Sequence, residues 1–132
     1  MFKKVRIPVQ LSLAAFFLAG TTYAFQNEAT VKLYDTYCVQ CHGLNRNGKG
    51  VNTHEIAVQP RDHTDPKGMG DIPDDELTKA ITEGGLSVNK SVIMPRWGLV
   101  LSEAQIKGLV SYLRTVCKCG PKKEGDSSNG GN

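Results

Sequence analysis

The apolar residues of the chain recur at helical spacing in three segments. The clearest segment begins at Ser102, which suits a helix N-cap, and Gln105 completes a capping box with it. Apolar residues then repeat every three or four positions, which predicts a helix to about Val116. A second helix is predicted from about Asp74 to Glu83, because its first turn is acidic and two glycines follow it.

The third predicted helix covers residues 28–37 and runs directly into a cysteine. Between the helices the chain is rich in glycine, proline and polar residues. Residues 51–72 are therefore predicted to be irregular with at most one short turn, and residues 86–100 to form a loop. Strand-like alternation is absent, which favours an all-α fold. Residues 120–132 are polar and are predicted to form a disordered tail.

Composition suits one small domain and places the excess positive charge at one end. The chain has 132 residues, with 16 Lys+Arg against 13 Asp+Glu and a net charge of +3. Lys3, Lys4 and Arg6 precede the first acidic residue, Glu28, and without them basic and acidic residues are equal at 13. The charge therefore gives no support for a nucleic acid partner or an anionic membrane surface.

The N-terminus has the pattern of an export signal. Its basic start is followed by an apolar stretch to Gly20 and by small residues at Thr22 and Ala24. We therefore predict a signal peptide over residues 1–24 and a domain over residues 25–119 of a periplasmic protein. The apolar stretch is about half of the roughly 20 residues of a spanning helix, so an uncleaved anchor is the weaker alternative.

Cys38-Val39-Gln40-Cys41-His42 has the spacing of the c-type haem attachment motif. Two thiols about one helical turn apart suit thioether bonds to the two vinyl groups of a haem, and the adjacent histidine then reaches the iron. A zinc ribbon needs a second ligand pair, and a thioredoxin-like pair needs a βαβ context. A structural disulfide leaves His42 unexplained. The motif predicts one covalent haem c, with thioethers at Cys38 and Cys41 and His42 as the proximal iron ligand.

Met94 is the predicted distal iron ligand. It lies in a loop before the last helix, and Pro95 stiffens that loop. Thioether sulfur is a soft ligand that favours ferrous iron and raises the reduction potential. The alternatives are Met69, in a flexible glycine-rich setting, and His54 and His63, which we interpret as solvated loop histidines.

These residues together resemble the class I cytochrome c family, in particular its bacterial monohaem members. The likeness covers roughly residues 28–116 and rests on four features in the family's order. These are Cys38–Gly43, the glycine-rich residues 47–50, Met94-Pro95 and the last helix. The resemblance implies a small cytochrome c fold in which N- and C-terminal helices cross around one covalently bound haem.

The resemblance also implies roles for residues outside the motif. In the fold that it implies, Tyr34 packs near Tyr112 and Leu113. Pro60 resembles the proline whose carbonyl accepts the N–H of the proximal histidine. Arg61 resembles a haem-propionate partner, with a solvated loop arginine as the alternative. Trp97 resembles the aromatic residue that follows the Met-Pro pair near the haem edge, with core filling as the alternative.

Cys117-Lys118-Cys119 departs from the family's usual ending. No histidine follows, so these thiols do not hold a second haem. A local Cys117–Cys119 disulfide is the favoured interpretation in an oxidising compartment. An intermolecular disulfide, attachment to a partner and metal capture remain open.

With both axial positions filled, the iron offers no position to a substrate, which favours outer-sphere electron transfer. The predicted function is that of a soluble periplasmic one-electron carrier, not an enzyme. Its expected partners are redox protein donors and acceptors that bind transiently, without nucleic acid or stable membrane insertion after signal cleavage. A haem-bearing subunit of a larger complex, and a gas- or peroxide-reactive protein with a labile distal ligand, remain alternatives.

Overall fold

The computed structural model describes residues 27–123 and residue 125, and the regular structure of that part of the chain is helical. The predicted signal peptide and most of the predicted tail lie outside it. This arrangement confirms the predicted all-α fold class. The helices are α1 over residues 27–37, α2 Val39–His42, α3 Pro66–Gly70, α4 Asp74–Glu83 and α5 Glu103–Cys117, with short 3₁₀ helices at Gly85–Val88 and Trp97–Leu99.

The capping box of α5 forms as its sequence predicts. The Ser102 hydroxyl accepts a hydrogen bond from the Gln105 backbone N–H at 3.3 Å, and the Gln105 side chain accepts one from the Ser102 N–H at 2.8 Å. The helix ends one residue beyond its predicted end, where Lys118 adopts a left-handed conformation with φ of 55°.

Helices α1 and α5 pack against each other at two levels. The rings of Tyr34 and Tyr112 meet edge to face with centroids 5.3 Å apart, as the resemblance implied. About one turn nearer the N-terminus of each helix, a Cβ on Gly108 would lie 3.1 Å from Oγ1 of Thr30. The glycine therefore lets the two helices approach each other closely.

Helix α3 is one short helix within residues 51–72, which are otherwise irregular as predicted. Asp65 caps it by accepting a hydrogen bond from the Lys67 N–H at 3.0 Å, and Pro66 occupies its first position. The expected flexible setting of Met69 is wrong. Met69 is fully buried in the core with residues of α1, α4 and α5.

The packed part of the chain continues past the end of α5. Cys117 and Cys119 are joined by a disulfide, and the Asp74 N–H donates to the Lys122 carbonyl at 2.9 Å. Packing therefore extends three residues beyond the predicted boundary at residue 119. Within the described residues, no helix has the length and apolar character needed to cross a membrane.

Candidate functional site

A cavity of about 780 Å³ opens into the core. Its size lies in the range of roughly 300–1,000 Å³ that is typical of cofactor sites. Core side chains of α4 and α5, such as Ile81 and Leu113, form part of its lining. The Cys38, Cys41, His42 and Met94 side chains line the same cavity.

The backbone between α1 and α2 places Cys38 one helical turn before Cys41 and His42. The backbone N–H of His42 donates to the carbonyl of Cys38 at 2.8 Å, which closes that turn. Both motif thiols are free and half-buried. Burial, with the nearby Cys41 and Asp35, raises the pKa of the Cys38 thiol to about 12. A catalytic redox pair shows the opposite shift, a lowered thiol pKa, so this geometry does not resemble a thioredoxin-like pair.

The proximal histidine is oriented by a backbone carbonyl. Nδ1 of His42 donates to the carbonyl of Arg61 at 3.1 Å, because a carbonyl can only accept. The remaining nitrogen, Nε2, then carries the lone pair that binds a metal. Burial lowers the pKa of His42 below its usual range, and the hydrogen bond to Arg61 opposes that shift. The neutral ring is the form that ligates iron.

The acceptor of this hydrogen bond corrects the expected role of Pro60. The Pro60 carbonyl instead faces Gly48, where an added Cβ would clash with it. Pro60 still lines the cavity. The carbonyl that accepts the hydrogen bond from His42 is that of Arg61, one residue later, while the Pro60 carbonyl lies against Gly48.

Met94 is half-buried and its loop is fastened to the end of α4. The Met94 carbonyl accepts a hydrogen bond from the Gly85 N–H at 3.2 Å, and the Met94 N–H donates to the Ser91 carbonyl at 3.3 Å. A Cβ at Gly85 would clash with that Ser91 carbonyl. The two glycines after α4 therefore do more than end the helix, because they let the Met94 loop pack against it.

The other candidates for the distal position lie elsewhere. Met69 is in the core and His54 is exposed, and neither lines the cavity. His63 does line it, but its ring is stacked on that of His42 with centroids 4.2 Å apart. A ring beside the proximal histidine does not face it across a metal. The expectation of a solvated His63 is wrong, since this side chain is 8% exposed.

Arg61 and Trp97 both line the cavity. The exposed Arg61 guanidinium donates to the Gly68 carbonyl at 3.4 Å. Trp97 is half-buried and its ring lies 5.1 Å from that of Tyr37. A propionate contact of Arg61 and a haem-edge contact of Trp97 remain predictions.

The sequence does not predict a polar cluster that side chains of α1, α5 and the intervening loops form next to the motif. Arg46 donates through Nε to the Tyr112 hydroxyl at 2.8 Å and pairs with Asp35 at 2.6 Å. The Tyr34 hydroxyl lies 2.9 Å from Nδ1 of His63. Arg46 and His63 stand in polar loops without periodicity, so the single sequence offers no signal that separates them from solvated side chains.

The family model described as cytochrome c oxidase, cbb3-type, subunit III matches residues 26–113. The chain belongs to this family. No curated protein and no solved structure gives a match. Membership makes the chain a class I c-type cytochrome domain, and the family implies a covalently bound haem c and haem-based electron transfer.

The residues present fit such a group. Two free thiols, an imidazole whose Nε2 is left for a metal and a thioether side chain line one cavity. Thiols, imidazole and thioether are the groups that attach haem c and ligate its iron. The motif, the family and the cavity therefore agree on the cofactor.

Proposed function

We propose that this cytochrome domain is a one-electron carrier with a single haem c. Cys38 and Cys41 would form the thioethers, and His42 and Met94 would be the axial ligands. The observation that carries the proposal is that one cavity collects all four of these side chains.

The protein's own contribution is to hold the ligands in place. The Arg61 carbonyl orients His42, and the hydrogen bonds of Gly85 and Ser91 hold the Met94 loop. Bound haem supplies one-electron redox chemistry, whose potential depends on the axial ligands and on burial. With both axial positions taken by protein side chains, the iron would have no position open to a substrate, and the haem would serve outer-sphere electron transfer with another protein.

We place this carrier in the periplasm as a soluble protein, and the support is the export-signal pattern of residues 1–24. Its partners would be redox proteins that dock transiently through small interfaces.

The family's description favours a second candidate, a haem-bearing subunit of an oxidase. Fractionation of cells that carry a tagged chromosomal copy separates the two. A free carrier is recovered in the exported soluble fraction, separate from the other oxidase chains. A subunit is recovered with the membranes and stays with the other oxidase chains after detergent extraction and gel filtration.

Substitution of the proposed distal ligand tests the ligand set. Met94→Ala is expected to lose the weak sulfur-to-iron absorption band of the oxidised protein, to bind carbon monoxide when reduced, and to have a lower potential. Met69→Leu is the matched control, because it exchanges the other mature-chain methionine for a side chain of similar volume. It should keep the wild-type spectrum. A Met94→Ala protein with an intact band would show that another residue is the distal ligand.

A further inference from the structure

The ring of His63 covers one face of the proximal histidine. The two ring planes are nearly parallel, at 15°, with centroids 4.2 Å apart. His63 is buried, whereas His42 is half-buried. Within the described structure, this is a contact of the proposed iron ligand that none of the roles assigned above explains.

His63 is itself held by the residues around it. Its Nδ1 lies 2.9 Å from the Tyr34 hydroxyl, and its backbone N–H donates to the Arg46 carbonyl at 2.8 Å. The ring is therefore a flat group whose position is fixed by its contacts with Tyr34 and Arg46.

Tyr34 is equally well fixed. It is 1% exposed and packs edge to face on Tyr112. The Arg46 guanidinium lies 5.2 Å from the centre of the Tyr34 ring, and its Nε donates to the Tyr112 hydroxyl. The position of His63 thus depends on the packing of α1 against α5, the two ends of the fold.

The hydrogen bond from His42 to Arg61 fixes the position of Nδ1 but leaves the ring free to tilt about that bond. A flat neighbour against the ring face removes this freedom. We infer that His63 is a positioning residue, which sets the plane of the His42 imidazole through the stack and is itself held by Tyr34. This inference rests on the proposed ligation of iron by His42.

The plane of an axial imidazole sets how it overlaps with the iron orbitals, and hence how unpaired spin is shared among the four haem methyl groups of the oxidised protein. Proton NMR of the holoprotein reads this distribution directly. His63→Leu fills the space without a flat ring, whereas His63→Phe keeps a flat ring and loses the nitrogens and, with them, the hydrogen bond to Tyr34. Tyr34→Phe removes the hydroxyl alone, and His54→Leu is the control at an exposed histidine.

We expect His63→Leu to change the order and spread of the four methyl shifts. His63→Phe should move them less, because it keeps the flat ring and loses only the hydrogen bond to Tyr34. Tyr34→Phe should move the shifts in the same direction as His63→Leu by a smaller amount, and His54→Leu should leave them unchanged. Denaturant midpoints are measured in parallel. Similar midpoints for the Leu and Phe variants of His63 with different methyl patterns separate positioning from a merely structural role.

A wild-type methyl pattern in His63→Leu overturns the inference. If that variant yields no holoprotein, Tyr34→Phe decides, and unchanged shifts there overturn the inference as well. The wild type alone tests the proposed function beneath it. A wild-type spectrum without nitrogen and sulfur ligation overturns the ligand set, independently of what the His63 variants do.

Discussion

Gly48 brings together the two loops that support the proximal histidine. Its N–H donates to the His42 carbonyl at 3.0 Å, so it is tied to the haem-attachment motif on one side. On the other side an added Cβ would clash with the Pro60 carbonyl and would lie 3.3 Å from the Arg61 carbonyl carbon. Its φ of +76° also favours glycine. One residue therefore sets how closely the Arg61 carbonyl can approach His42.

Gly48→Ala should destabilise the protein by about 2–5 kcal/mol, the sum of a left-handed backbone cost and an overpacking cost. The matched control is Gly120→Ala, because Gly120 has φ of +61° but no atom within 4 Å of an added Cβ. It should show only the backbone cost of about 1–2 kcal/mol. Denaturant unfolding of both holoproteins gives the comparison. Equal losses would mean that the close loop approach is unimportant for stability.

Among the elements, α5 is joined to the α3–α4 connection by one buried arginine. Arg114 is 6% exposed, and its Nη1 donates to the Met69 carbonyl at 2.7 Å. Its Nη2 donates to the Ile72 carbonyl, and its Nε donates to Asp74 at 2.7 Å. These bonds satisfy carbonyls at the end of α3 and a carboxylate in the first turn of α4. Arg114 thus fixes the position of α5 relative to α3 and α4.

Arg114→Leu should lower the free energy of unfolding by about 2–5 kcal/mol, because two carbonyls lose a charged donor in a shielded place. Asp74→Asn keeps an acceptor and removes only the charge. Since the Asp74 side chain is 38% exposed, its loss should stay below about 1 kcal/mol. Urea titrations of the two variants and the wild type measure this. An equal loss of unfolding free energy in Asp74→Asn and Arg114→Leu would show that the ion pair, and not the hydrogen bonds to the two carbonyls, stabilises this contact between the helices.

Elements with local signals could be predicted from the sequence, and those that depend on distant partners could not. Helix α4 runs from Asp74 to Glu83 as predicted, because its acidic first turn and the following glycines are local signals. The position of α3 within residues 51–72 could not be predicted, because two of its five residues are glycines. The motif alone indicated Cys38, Cys41 and His42. The burial of His63 depends on Tyr34 and Arg46, whose proximity arises only when α1, the loop and α5 pack together.

At the scale of the whole molecule, the core and the cofactor site share their walls. Leu77, Ile81, Leu109 and Leu113 are buried core residues, and all four also line the cavity. The core of this short chain is therefore built around the volume that the cofactor fits. Cofactor attachment and folding should be strongly linked, because a group that binds only the folded state stabilises that state.

A chain that cannot attach haem should consequently fail to form this compact fold. At about 24 cal/mol per Å³ of residual cavity, 780 Å³ would cost at most on the order of 20 kcal/mol. Water entering through the open mouth lowers that figure, yet the free energy of unfolding of a typical domain is only about 5–15 kcal/mol.

Cys38→Ala with Cys41→Ala should therefore lose near-UV circular dichroism and cooperative urea unfolding. Cys117→Ala with Cys119→Ala, which opens only a three-residue loop, should keep its haem and both signals with a modest loss of stability. A haem-free chain that unfolds cooperatively at the wild-type midpoint would show instead that the apolar packing of α1, α4 and α5 suffices to hold the fold without the cofactor.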